Sequence, residues 1–270
     1  MNCGLGAQFA SQIADANPGD ALQFKWLGGG GQNWPHNTGP MLTYMTSCGN
    51  SDCTNYNSSS SEWFKIEQVA RVSSGGAWAQ LAVSEGLPAN VTLPSTLAPG
   101  NYLLRHEILG LQGAVSVGGA EFYIACSNLK VGGSQTGGPT QNELVQFPGV
   151  GGWSYNDTEP GIYDPNVYDP SAPYIFPGPP VAAFAGGDAA NTSVAGEGSG
   201  SAGSGSTSTS GAGGPDSSSS TSPQSICKLQ RRTTLVTEAS TFAVKTHVRK
   251  RRNLLTGLFG DLRFIYKGSN

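Results

Sequence analysis

Three histidines, His36, His106 and His247, limit what chemistry this chain of 270 residues can do. His36 stands in Asn33-Trp34-Pro35-His36-Asn37-Thr38-Gly39-Pro40, a loop dense in turn-forming residues ahead of an apolar run. An imidazole held between Pro35 and Gly39 is suited to binding a metal or moving a proton. His106 lies within Arg105-His106-Glu107, in the middle of a strand-like run. Successive strand side chains alternate faces, so Arg105 and Glu107 share one face and can pair. His106 turns to the other face, where a buried, hydrogen-bonded imidazole is the plain expectation. His247 falls in a basic stretch with no comparable context.

Other chemistries fail on inventory. His36 and His106 do not assemble a convincing Ser/His/Asp or Cys/His set, and Gly28 to Gly31 lack the Lys and helix of a phosphate-cradling loop. Glu62, Glu67, Glu107 and Glu121 leave a glycosidase carboxylate pair open without supporting it. The cysteines stand at 3, 48, 53, 126 and 227. Cys48 and Cys53 flank a Gly-Asn-Ser-Asp turn that suits a small closed loop, and Cys3 and Cys126 bracket the β-rich region. A zinc site would want more Cys or His nearby, so two disulfides are the better account.

Short runs of alternating polarity, separated by Gly, Pro, Asn and Ser, must position these residues. Strands are predicted at Leu22–Trp26, Met41–Met45, Trp63–Ile66, Asn90–Pro94, Tyr102–Leu109, Phe122–Cys126 and Asn128–Val131. Such a set argues an all-β sandwich of the immunoglobulin or fibronectin type III kind. From Gly132 to Pro180 periodicity is weak; a long loop carrying Trp153, Tyr155, Tyr163, Tyr168 and Tyr174 is expected to wrap the sandwich.

Composition divides the chain into a sandwich at 1–185, a disordered Ser/Gly/Thr linker at 186–226 and a basic extension at 227–270. Asn191 to Ser225 is almost all Ser, Gly, Thr and Ala, too little apolar area to offset ~1–2 kcal/mol of chain entropy per residue. Residues 1–226 hold five basic side chains against sixteen acidic ones, whereas 227–270 hold ten against two. A domain so poor in Lys and Arg is a weak candidate for nucleic acid. Ser206 to Ser220 reads as an O-glycosylated spacer, with Cys227 and the basic end as a processed or wall-associating extension.

Sequons at Asn57, Asn90, Asn156 and Asn191 agree with a secreted, extracellular glycoprotein. No apolar run reaches the ~18 residues of a membrane span. Met1-Asn2-Cys3 has no export signal, so the true beginning is expected to lie upstream.

Several segments in fixed order carry a more specific message. They are Asn33 to Tyr44, Trp63-Phe64-Lys65-Ile66, Trp78-Ala79, Pro99 to Ile108, Gly119-Ala120-Glu121-Phe122-Tyr123, Glu159-Pro160-Gly161-Ile162 and Tyr174-Ile175-Phe176-Pro177-Gly178-Pro179. The series resembles the cellulose-active lytic polysaccharide monooxygenases of auxiliary activity family nine, formerly glycoside hydrolase family sixty-one, from Cys3 to about Val181. The resemblance implies a fibronectin-like sandwich with a flat face for cellulose or a related β-glucan. It also implies one copper ion in a brace made by an N-terminal His and a second His, an external electron donor, oxidation at C1 or C4, and a monomer. His36 falls on the second brace position and Tyr123 on the axial one. Cys3 with Cys126 and Cys48 with Cys53 match the family's disulfides, and Tyr174 is a candidate for stacking on sugar rings.

Three departures stand beside the matches. The family's N-terminal His should precede Cys3 by some fifty residues, so half the brace is missing from the chain as given, which is expected to be inactive. Gln112 stands where the family has a His, and Glu121 where it has a Gln. Such outer partners tune the metal, and changing them typically costs ~10–100-fold in affinity or activity. The sequence therefore supports two readings, a copper monooxygenase acting on cellulose or a non-catalytic relative that binds polysaccharide or cell wall. Arg in place of the N-terminal His, as in a related subgroup, would favour the second.

Overall fold

The computed structural model describes residues 2–4, 6–72, 76–147 and 155–186, and the backbone of two strands, 242–246 and 260–266. The sequons, cysteine and aromatic expected at Asn191, Cys227 and Trp153, and nearly all of the 186–226 stretch, lie outside these residues. So does His247.

Two sheets form the domain. The first contains β1 (Ala14–Ala16), β3 (Met41–Ser47), β4 (Phe64–Val69), β6 (Gly100–Gly110) and β7 (Glu121–Val131), in the order β1-β7-β6-β3-β4. The second contains β2 (Ala21–Leu27), β5 (Ala89–Thr92), β8 (Phe242–Thr246) and β9 (Gly260–Tyr266), in the order β5-β2-β9-β8. One short helix, α1 (Gln80–Ser84), precedes β5.

The strand pattern explains the layers. In β2, Leu22, Phe24 and Trp26 are fully buried while Gln23 and Lys25 are less so, which is the alternation of a strand covered on one face. β6 is buried on both. Tyr102, Leu104 and Ile108 join the core between the sheets, and Leu103 and Leu109 join a second core on the outer face. Val145, Phe147, Ile162 and Val167, from the long stretch after β7, close that second core. The wrapping loop is thus a lid that turns the outer face of the first sheet into interior.

Within this frame Arg105 and Glu107 do pair, at 2.7 and 2.9 Å through both guanidinium nitrogens. The Tyr155 hydroxyl donates to the same carboxylate at 3.1 Å. His106 points the other way, stacked on Phe24 with ring centroids 4.4 Å apart, and its Nδ1 accepts from the Trp26 indole. Both cystine bridges, Cys3–Cys126 and Cys48–Cys53, are formed.

The structure differs from the strand prediction in four places. The runs 122–126 and 128–131 are one continuous strand, β7, because Ser127 pairs with Leu104 without interruption. β1 is only three residues long and pairs parallel to the end of β7, too short for periodicity to reveal. The short helix α1 was not expected either. Finally, β8 and β9 arise from the basic extension, where no strand was predicted; β9 pairs antiparallel with β2 from Leu22↔Tyr266 to Leu27↔Asp261.

Candidate metal centre

The loop between β2 and β3 carries His36, and its course is dictated by its neighbours. Gly39 has φ +128°, and a Cβ there would lie 1.9 Å from the Leu109 carbonyl oxygen, so only glycine lets the loop pass β6. The backbone N–H of Leu111 donates to Thr38 and that of Leu109 to Pro40, strapping the loop to the end of β6.

Trp34 sets the ring of His36. Its indole is buried, donates to the Gln80 side-chain oxygen at 3.2 Å, and meets the rings of His36 and Tyr123 edge-on at 5.4 and 4.6 Å. The amide of Gln80 in turn donates to the Leu109 carbonyl. Two anchors thus fix the wedge that presses imidazole toward phenol.

Four side chains then converge. Gln112 Nε2 donates to Glu121 Oε2 at 2.6 Å, and the Tyr123 hydroxyl donates to the same oxygen at 2.7 Å. His36 Nε2 lies 2.7 Å from the Tyr123 oxygen. Since the phenol spends its proton on Glu121, His36 Nε2 is the donor in that contact, and the ring carries its proton there. Glu121 Oε2 is itself 3.6 Å from His36 Nε2.

Electrostatics follow from this packing. Partial burial draws the His36 imidazole below its ordinary pKa, and the Glu121 charge opposes that. Burial raises the Tyr123 phenol well above the tyrosine range, and its bond and charge contact with Glu121 add to the effect. Gln112 Oε1 is buried with no protein partner.

Tyr123 and Glu121 share one face of β7 by the two-residue repeat, which brings both to His36. Tyr174 sits differently from expectation. Its ring is half-buried, edge-on to Trp78 and Phe176, and its hydroxyl donates to the Gly161 carbonyl at 2.7 Å. The open aromatic near the cluster is Tyr168, 62 % exposed, whose hydroxyl donates to the Gln112 backbone carbonyl at 2.7 Å. Nothing in the sequence separated it from the other tyrosines of a stretch without periodicity. Asn57, Asn90 and Asn156 are all exposed.

The cluster offers an imidazole, a phenol and a carboxylate. Copper suits imidazole nitrogen, and an ion held through His36 Nε2 requires the proton on that nitrogen to leave. Among the described residues no three His, Cys, Asp or Glu come together, and His106 is committed to the core. The residues present therefore fit one half of a histidine brace.

The family model described as Auxiliary Activity family 9 (formerly GH61) matches residues 1–174. AA9 family lytic polysaccharide monooxygenase D of Gloeophyllum trabeum is 50% identical over 196 residues, covering 73% of this chain and 55% of that protein. The monooxygenase A of the same fungus is 38% identical over 196 residues, covering 69% and 58%. The chain thus spans little more than half the length of these curated relatives. Among solved structures, the extended catalytic domain of H. jecorina LPMO9A superimposes with a TM-score of 0.56 at 36% identity, over 67% of this chain and 68% of that one. The crystal structure of HiLPMO9B gives 0.55 at 34%, over 65% and 76%. With a sandwich of this topology and a family match over most of its folded length, the chain belongs to Auxiliary Activity family 9, the lytic polysaccharide monooxygenases.

Proposed function

We propose that this protein is a secreted, copper-dependent monooxygenase that cleaves cellulose or a related β-1,4-glucan oxidatively at C1 or C4, and that the 270 residues alone are inactive. The contact of His36 Nε2 with the Tyr123 hydroxyl, 2.7 Å at a partly exposed site, carries this reading. His36 would hold the ion through its imidazole, with the Tyr123 hydroxyl beside it; any further donors would have to come from beyond the described residues. Copper, when bound, supplies one-electron exchange with an external donor and activates oxygen or peroxide.

The chain's own residues do the rest. Glu121 holds the phenol proton, and Gln112 fixes that carboxylate by donating to the same oxygen. Trp34 keeps water off one side of the imidazole. Tyr168, with Tyr174 as a half-buried support, provides aromatic surface for pyranose rings.

A second reading has an observation of its own. The carboxylate of Glu121 already engages the phenol and lies close to the imidazole, so imidazole, phenol and carboxylate satisfy one another without an ion. That arrangement favours a relative that binds polysaccharide or wall material without oxidising it.

Copper(II) titration followed by electron paramagnetic resonance, on the chain and on His36→Ala, tests the site. Uptake that disappears in His36→Ala is expected, and unchanged uptake overturns the assignment. Cellulose incubated with the complete secreted gene product, a reductant and peroxide then separates the readings. Oxidised cello-oligosaccharides establish the enzyme; cellulose binding with neither copper nor oxidised products establishes the second reading.

A further inference from the structure

Away from the metal cluster, a cavity of about 350 Å³ opens between the N-terminal segment, the Cys48–Cys53 loop and the outer face of β6 and β7. None of its lining residues is charged. Amides and hydroxyls from Asn2, Gln8, Asn128 and Ser59 share it with the rings of Phe9 and Tyr56. Neutral hydrogen-bonding groups beside aromatic faces are the chemistry that recognises a sugar.

Three further features narrow the occupant. Asn2 is 92 % buried by the complement of its 8 % exposure, and its Oδ1 has no donor, although its amide is satisfied by the Ser58 carbonyl. A buried acceptor left without a partner is costly, and since this oxygen has no accessible surface a donor reaches it only as the N-terminal segment shifts. Phe9 is 64 % exposed at the rim, the largest exposure of any bulky apolar side chain described. The third is Asn57, which lines the same cavity, is exposed, and heads the sequon Asn57-Ser58-Ser59.

The local geometry suits attachment there. Asn57 caps a short 3-10 turn at Ser58–Ser60, its Oδ1 accepting the Ser59 N–H at 3.0 Å. That bond holds the carboxamide in place and leaves Nδ2, the atom glycosylated in a sequon, free of protein partners among the described residues. An N-linked glycan begins with N-acetylglucosamine, whose acetamido N–H and hydroxyls are donors and whose ring has an apolar face. At about 350 Å³ the space is near the lower limit of small-molecule sites, ~300–1,000 Å³, and suits one sugar rather than a chain.

We infer that the first N-acetylglucosamine of a glycan on Asn57 docks in this cavity, covering Phe9 and, with a small shift of the N-terminal segment, giving Asn2 its missing donor, and so pins residues 6–10, which follow the Cys3–Cys126 bridge, to the sandwich. The inference rests on passage through the secretory route but not on copper chemistry.

The test uses the protein secreted from a yeast host. Endoglycosidase H trims every N-glycan to a single sugar. Ser59→Ala removes the sequon while keeping Asn57 and its backbone-directed cap. Asn90→Gln removes a sequon elsewhere. Amide hydrogen exchange in residues 6–10 is expected to be equally slow in the native and trimmed proteins and in Asn90→Gln, and at least about tenfold faster in Ser59→Ala. Phe9→Ala in the trimmed protein should recover much of that acceleration. Glycosylation at Asn90 or Asn156 without occupancy of Asn57 would overturn the inference while leaving secretion intact. So would exchange that is unchanged in Ser59→Ala, or that slows in the native protein but not after trimming, which would assign the effect to the outer sugars.

Discussion

Glu121 decides which way the proton between His36 and Tyr123 points. With Glu121 as acceptor, the phenol donates to it and the imidazole donates to the phenol, a short one-way chain that begins at a ring nitrogen and ends on a carboxylate. Removing that acceptor in Glu121→Ala should release the Tyr123 hydroxyl to donate to the imidazole. Proton NMR of the His36 ring should then show the Nε2-bound proton lost in favour of Nδ1; an unchanged tautomer would refute this chain. Gly39 makes a second residue-level prediction. Any Cβ there meets the Leu109 carbonyl at a backbone conformation that favours glycine, so Gly39→Ala should lower stability by at least roughly 1–3 kcal/mol, read by denaturant unfolding. His36 stood out before any coordinates because of its loop, whereas Tyr123 and Glu121 were singled out only by the family resemblance; that they share one face of β7 follows from the two-residue strand repeat. Trp34 and Gln80 were not read as parts of the site. Their bond joins residues 46 apart in sequence, and nothing local announces it.

β6 shows how an element can serve two interiors at once. Its inward register gives Tyr102, Leu104, His106 and Ile108, and its outward register gives Leu103, Arg105, Glu107 and Leu109. The alternation of Arg105, His106 and Glu107 was readable directly, since the period of a strand fixes it. What the alternation could not show is that the outward pair would also be buried, because the cover comes from a loop without periodicity. Arg105 and Glu107 have 1% and 0% of their side chains exposed, so removing one leaves the other's charge stranded. Arg105→Met or Glu107→Gln alone should cost about 3–5 kcal/mol, whereas Arg105→Met with Glu107→Leu should cost less than either. Equal or larger loss in the double variant, by chemical denaturation, would argue that the pair does more than neutralise itself.

Across the whole molecule two buried titratable groups set opposite pH slopes. Burial pushes the Glu67 carboxyl up to about 8, so the folded state keeps a proton that the unfolded chain loses above 4.5, and stability falls as pH rises from there to 8. Burial, with the Arg105 charge adding to it, draws His106 down to about 3, so the unfolded chain takes a proton below 6.5 that the fold refuses. Stability on that account falls as pH drops from 6.5 to 3. The slopes oppose between 4.5 and 6.5, which predicts a stability plateau there and losses of up to about 1.4 kcal/mol per pH unit per group on either side. Thermal unfolding across pH 3–9 checks it, and Glu67→Gln should flatten the alkaline limb and replace the plateau with a loss of stability that runs from pH 6.5 down to 3. The fold class was legible from strand spacing and from the ordered motifs, but the second sheet was not complete in that reading. Two of its four strands, β8 and β9, come from a stretch whose basic composition masks short apolar runs.

The pairing of β9 with β2 joins residue 22 to residue 266 of a 270-residue chain. A ribosome holds the most recently added residues inside its exit tunnel, so β9 emerges long after β2. The first sheet, its cystines and the His36 loop can assemble while the chain is still being made. The second sheet has to wait for β9, with one side of β2 open to any passing strand in the interval.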